Sequence, residues 1–300
     1  MKTLKSLFVF SAIFSIFCST TSAAYESSQT ERQSVTLTPH LAPTKRYEGS
    51  LAGKRIVIML SDRVAQYTGG YLYITPTSSG NSLKWIELTG KKSADGTLSL
   101  LERVDGKFTG EFKGQIKQKS FSGVWSSPKG KKFDFSAMES DLGSPKFIAE
   151  VSTNPTSKKL TKITVYQNQQ PLQSIAVNVD VYGPIDSLHY DYVDYNFDGY
   201  PDFSLSSTNS DHLYLLFDAA KNSYVMAPGS LQDIDVTATH YSTNEIIEEW
   251  GGNQERGLNV YKFLNGKYCL VEETTVSGPA ETAKAYKKTY PVSQCKSKKN

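Results

Sequence analysis

HYDYVDYNFDGYPDFSL, residues 189–205, decides how the second half of this chain is read. On either side of its centre, aromatic or aliphatic residues alternate with polar ones, the period of a half-buried strand. In the centre, Asp194, Asn196, Asp198 and Asp202 crowd around Gly199. Carboxylates this close repel one another, so the loop calls for positive charge among them.

Aligned on its glycine, the loop is Asp194-x-Asn196-x-Asp198-Gly199-x-x-Asp202. Alternate residues of a tight loop can aim oxygens at one ion. The glycine in sixth place permits a sharp turn, and Tyr200 in seventh place can offer its backbone carbonyl. Oxygen donors suit a hard cation, and the flexible set favours Ca2+ over Mg2+. Water, or a neighbouring acid such as Asp186 or Asp191, would complete the shell. The twelfth position is Leu205 rather than Glu, and the flanks read as strands. This is therefore not a helix-flanked EF-hand loop. The competing reading is a solvated turn rich in Asp and Asn.

Working outward, the pattern remains all-β. Eight candidate strands fill residues 46–138: RYEGSLA, KRIVIMLSD, TGGYLYITP, LKWIELTG, GTLSLLERV, KFTGEFKGQI, SFSGVWSS and KKFDFSAM. Turn signals such as SSGNS, ADG and PKGKK separate them. Short strands at even spacing predict a small up-and-down β-barrel. Gly49, Gly70, Gly110, Gly114 and Gly123 fall inside strands, where bends or bulges are expected. Residues 139–146 read as a linker, and residues 147–295 as a calcium-binding, sandwich-like β domain. Asn265-Gly266 supplies a two-residue hairpin turn, and GSLQDI (residues 229–234) reads as a helical turn. Residues 24–45 are polar with no clear period and read as a flexible lead-in, with His40 as a solvated bystander. Residues 296–300 form a basic tail.

The chain opens with Lys2 and Lys5, an apolar run over residues 7–17 and small residues near Ala23. Residues 1–23 therefore read as a secretory signal peptide. The run is too short to span a bilayer, and Phe17 before Cys18 argues against lipid attachment. No later segment is apolar enough to be transmembrane, so the protein is expected in the periplasm or secreted. Without the leader, Lys plus Arg falls from 33 to 31 against 30 Asp plus Glu. That balance gives no support for nucleic-acid binding. Cys269 and Cys295 remain, and an oxidising compartment favours a disulfide between them over two buried thiols.

The run DYVDYNFDGYPDFSLSSTNSDHLYLLFDAAKNSYVMAPGSLQDI resembles a family of secreted bacterial proteins. These are the calcium-binding periplasmic immunity proteins related to lysozyme inhibitors of the invertebrate-lysozyme-inhibitor fold. The likeness covers residues 147–273 and is strongest over residues 194–202. It implies a β-sandwich-like domain with calcium held by Asp194, Asn196, Asp198, Tyr200 and Asp202. It also implies, for some members, a loop placed in the cleft of a peptidoglycan-cleaving enzyme. No short motif marks that loop in this chain.

Catalytic constellations are absent from the sequence. There is no zinc-binding His or Cys spacing, no nucleophile elbow and no phosphate loop. His189 and His212 read as hydrogen-bonding edge residues. Glu248-Glu249 and Glu272-Glu273 could supply a glycosidase pair, but adjacent strand residues face opposite ways. The expectation is therefore a non-enzyme: an inhibitor or immunity protein against a lysozyme-like hydrolase. The alternatives are an envelope or glycan-binding module and, more weakly, a hydrolase. The turn EEWGGNQERG (residues 248–257) is the candidate partner contact, through Trp250, Gly251, Gly252, Asn253 and Arg256.

Overall fold

The computed structural model describes residues 30–40, 42–63, 66–74, 84–140, 145–153, 156–206, 212–252, 255–278 and 284–295. Residues 1–23, read as a signal peptide, and residues 296–300 lie outside them.

All eight strands expected in the first half form, and they close into a barrel. They are β3 (Lys45–Leu51), β4 (Lys54–Arg63), β5 (Gln66–Tyr73), β6 (Ile86–Lys92), β7 (Thr97–Val104), β8 (Lys107–Lys117), β9 (Ser120–Ser126) and β10 (Lys132–Glu139). Each pairs antiparallel with the next, and β10 returns to β3. Alternation puts Tyr47, Ile58, Leu88, Leu100, Phe112 and Phe121 inside. Of the strand glycines, Gly110 lies at a bulge: among the described barrel pairings the register breaks only where Glu102 pairs with Gly110 and Arg103 with Phe108. The other strand glycines keep register and permit close approach instead: a side chain at Gly114 or Gly123 would meet the backbone of the facing strand.

The lead-in is a second correction. From residue 31 onward it is built into the fold as β1 (Glu31–Thr36) and β2 (Thr38–Pro39). β1 pairs with β11 (Lys146–Thr153), and β2 lies parallel to β14 (His189–Val193). The expected linker is shorter than drawn, since Glu139 ends β10 and Lys146 begins β11; residues 141–144 lie outside the described set.

The second half is a sandwich plus a further sheet. The first sheet runs β1-β11-β12-β13, with β12 Lys158–Gln167 and β13 Gln170–Asp180. The second runs β17-β16-β15-β14-β2, with β15 Asp202–Ser206, β16 Leu213–Asp218 and β17 Ser223–Met226. Phe147, Ile163, Tyr190, Phe203 and Leu215 fill the space between them. The third sheet runs β18-β19-β20-β21-β22. Its strands are Val236–His240, Glu245–Gly251, Glu255–Leu264, Lys267–Ser277 and Lys284–Thr289. A short helix, α1 (Gly229–Gln232), precedes it where a helical turn was expected. Asn265 and Gly266 take positive φ, 51° and 77°, the two-residue hairpin turn read from Asn-Gly.

β16 explains how the units join. Its run LYLLF is buried on both faces. Leu213, Leu215 and Phe217 enter the sandwich core. Tyr214 and Leu216 enter a third core with Val57, Met59 and Trp85 of the barrel side and Ile246, Tyr261 and Tyr268 of the third sheet. The turn between β14 and β15 is the acidic loop, so it sits where sandwich, barrel and third sheet meet.

Candidate functional site

The loop is shaped by its own carboxylates. Asp194 accepts from the backbone N–H of Asp198 at 3.1 Å and of Gly199 at 2.9 Å. Asn196 Oδ1 accepts from Asp198 N at 3.1 Å, and its Nδ2 donates to Asp198 Oδ2 at 3.0 Å. Asp198 Oδ1 accepts from Tyr200 N at 2.9 Å. Asp202 reaches furthest: it accepts from Tyr195 N and from Phe217 N, each at 2.8 Å. That second bond ties the loop to β16. Gly199 takes φ 91°, as its place in the motif requires, and the buried Phe197 is held at φ 59°. Bulky residues rarely occupy this region.

The barrel grips the loop from outside. Trp85 Nε1 donates to the Phe197 carbonyl at 2.9 Å. Arg46 Nε donates to the Gly199 carbonyl at 2.5 Å, and its guanidinium lies 4.4 Å from the Tyr200 ring centroid. Arg46 also pairs with Glu48.

Charge is the unusual feature. Asp194 and Asp202 are both 0% exposed. Burial, then the negative charge of Asp198, holds both well above the ordinary carboxylate range. Burial pushes Asp198 up to about 6, although Arg46 pulls the other way. Backbone N–H groups supply only partial charge, and Arg46 is shared with Glu48.

The five residues predicted as ligands are thus brought into one loop. Their donor set fits a hard cation: three carboxylates, one carboxamide and a carbonyl, all oxygen. Asp202 Oδ2 already accepts from both Tyr195 N and Asn196 N, whereas Asp202 Oδ1, bonded to Phe217 N, keeps a second lone-pair direction. As drawn, however, no three His, Cys, Asp or Glu side chains among the described residues converge on a metal-sized point. The proposed completing acids stand apart. Asp191 turns toward His40, 3.7 Å away, and Asp186 lies on a 3-10 turn, Ile185–Ser187.

The residues singled out for partner contact lie at the outer end of the β19–β20 hairpin. Trp250 pairs with Gly257 across β19 and β20 and lies over that glycine. Gly251, Gly252 and Arg256 are exposed, and Asn253 lies outside the described residues. Of the two glutamate pairs, Glu248 is buried and accepts from Tyr261 OH at 2.9 Å and Asn259 Nδ2 at 2.8 Å. Glu272 pairs with Lys287, and Glu273 accepts from Tyr290 OH. Each adjacent pair is split between faces, as the strand period demands. Glu248 and Glu273 nevertheless oppose the same residue, Asn259, from its two sides. Cross-strand register, which spacing along the chain does not reveal, creates that row.

Cys269 and Cys295 form a disulfide with Cα atoms 4.9 Å apart. It ties the residues after β22 back to β21.

No family model matches the chain, and no curated protein matches it. Among solved structures, it is similar to a Xanthomonas Type IV secretion system related protein at 17% identity, with a TM-score of 0.38. That match covers 65% of this chain and 100% of the other.

Proposed function

We propose that this is an exported, calcium-stabilised binding protein that inhibits a lysozyme-like peptidoglycan hydrolase and performs no bond cleavage itself. The observation that carries the calcium reading is the charge at the centre of the molecule. Three carboxylates, two of them fully buried, share one guanidinium that already serves Glu48. Buried charge without a counter-charge is costly. A divalent cation held by Asp194, Asn196, Asp198, the Tyr200 carbonyl and Asp202 would offset it.

Calcium's role would be structural. By fixing the β14–β15 turn it would hold barrel, sandwich and third sheet in one arrangement, and a rigid binder loses less entropy on association. Export is supported by the leader-like residues 1–23 and by the disulfide, which suits an oxidising compartment. Inhibition is supported by the family resemblance of the NFDGYPD run and by the exposed Gly251, Gly252 and Arg256 at the outer end of the β19–β20 hairpin.

The test is residual activity of several lysozyme types with and without the protein, in calcium and in chelator. Dose-dependent loss of activity that weakens in chelator is expected. Full activity across all types would overturn inhibition, and a melting temperature unmoved by calcium would overturn the calcium role.

One observation favours a second reading, a glycan-binding envelope module. At one end of the barrel Trp125 stacks on Phe133 with centroids 5.8 Å apart, and Phe133 and Phe108 are exposed. Trp125 Nε1 donates to the buried Glu102 at 2.6 Å, which fixes the ring. Flat, pre-positioned rings suit sugar faces. Sedimentation with peptidoglycan, compared between the parent and F133A, tests it.

A further inference from the structure

Three of the four histidines, expected to be unconnected, surround one cavity. His40 follows β2, His189 opens β14, and His212 precedes β16. All three line a cavity of about 460 Å³ on the face of the second sheet away from the sandwich core. The size is that of small-molecule sites in general.

The walls are built rather than incidental. His40 and His189 stack with centroids 6.3 Å apart and an interplanar angle of 23°. Thr38 Oγ1 stands 2.9 Å from His189 Nδ1, which fixes that ring in the lining. Asp191 sits beside His40 on one wall. Asp235, from the chain leading into β18, is an exposed residue that also lines the cavity. Ser187 and Ser204 contribute hydroxyls to the lining. The described lining contains no Lys or Arg.

Two carboxylates in one lining, with no described Lys or Arg beside them, favour a cation. Imidazoles and hydroxyls around them favour a ligand that both donates and accepts hydrogen bonds. The geometry points to a site for a small hydroxylated amine, the chemistry of an amino sugar with a free ammonium group. The ammonium would lie between Asp191 and Asp235, and hydroxyls would meet His40, His189 and His212. The site is separate from the acidic loop's ion and from the inhibitor reading, so its failure leaves both standing.

The probe is D-glucosamine, titrated calorimetrically into the full mature chain with calcium present. D-Glucose and ethylamine serve as comparators. Glucosamine is expected to bind at least tenfold tighter than either. Asp235→Asn, an exposed change that leaves the fold intact by its melting curve, is expected to weaken glucosamine at least tenfold, and His212→Ala to weaken it severalfold. Absence of glucosamine binding, equal binding of glucose or ethylamine, or an unchanged affinity in D235N would each overturn the assignment.

Discussion

Arg46 Nε donates to the carbonyl of Gly199 at 2.5 Å, across 153 residues of sequence. The bond joins the first barrel strand to the tip of the acidic loop. The same guanidinium covers the Tyr200 ring, so one side chain couples barrel and sandwich. Arg46→Ala removes a charge-assisted hydrogen bond and a cation–π contact, worth about 3 kcal/mol together. Urea denaturation should show that loss. Arg46→Lys should recover little of it, because an ammonium cannot reproduce the planar fork. A lysine variant as stable as the parent would show that the clamp is a simple point charge.

Chelation should lower the melting temperature by several degrees, and calcium should restore it. Asp194→Ala should remove that calcium response. A neutral Asp202→Asn keeps one acceptor oxygen but loses charge, so it should weaken calcium while retaining part of the tie to β16. Thermal melts in chelator and at about 5 mM calcium, more than two decades above ordinary sensor affinities, would separate these effects.

The pH response of the calcium-free protein should be inverted from that of most proteins. Asp198 is raised to about 6 by burial, above its unfolded value of 3.8. Asp194 and Asp202 shift the same way. Through this window the folded chain binds more protons than the unfolded one, so stability rises as pH falls. The contribution is complete below the unfolded value and is lost as pH rises through about 6. In chelator, the melting temperature should therefore climb between pH 7.5 and 5. With calcium bound the carboxylates are held ionised, and acidification should instead weaken the ion. Parallel melts in the two conditions check the crossing of these trends.

The barrel was legible because most of its strands bury one face and expose the other, with turn residues between; β4 and β5 bury both, since Val57, Met59 and Leu72 pack into the third core. β1 was not legible for the opposite reason. Five of its six residues are exposed, so it carries no apolar alternation; it joins β11 by backbone pairing, with Val35 its one contact to the sandwich core. The acidic loop was legible as a local motif, since its ligand candidates lie within nine residues. Its grip by Arg46 and Trp85 was not, because those residues stand on the barrel, more than a hundred positions away. The histidine-lined cavity was hidden in the same way: no spacing connects His40 to His189 and His212. The contact of Trp250 with Gly257 was hidden too, because the glycine that lets the ring lie flat is on the opposite strand.

Reducing the Cys269–Cys295 bond should destabilise the third sheet's outer edge. The bridge closes a 26-residue separation, for which chain entropy implies about 3 kcal/mol. β22 is exposed at every position, so covalent attachment just beyond it matters more than packing. Hydrogen exchange should show β22 amides opening first on reduction while barrel amides stay protected. Thiol titration of the denatured, unreduced protein should find no free cysteine among these two.

Gly257→Ala links the hairpin's structure to the proposed inhibition. A methyl group there would strike the Trp250 indole, which lies over the glycine. The ring must lift off the sheet. Both residues are only half-buried at the outer end of the hairpin, so the stability cost should be small, about 1 kcal/mol, as for other modest strand changes. Trp250 fluorescence should shift to the red as the indole enters water. If the β19–β20 tip enters a hydrolase cleft, reshaping its base should reduce inhibition at least tenfold while the calcium-dependent melt is retained. Inhibition equal to the parent's, alongside a clear spectral shift, would move the contact surface away from this hairpin and leave the calcium loop's structural role unaffected.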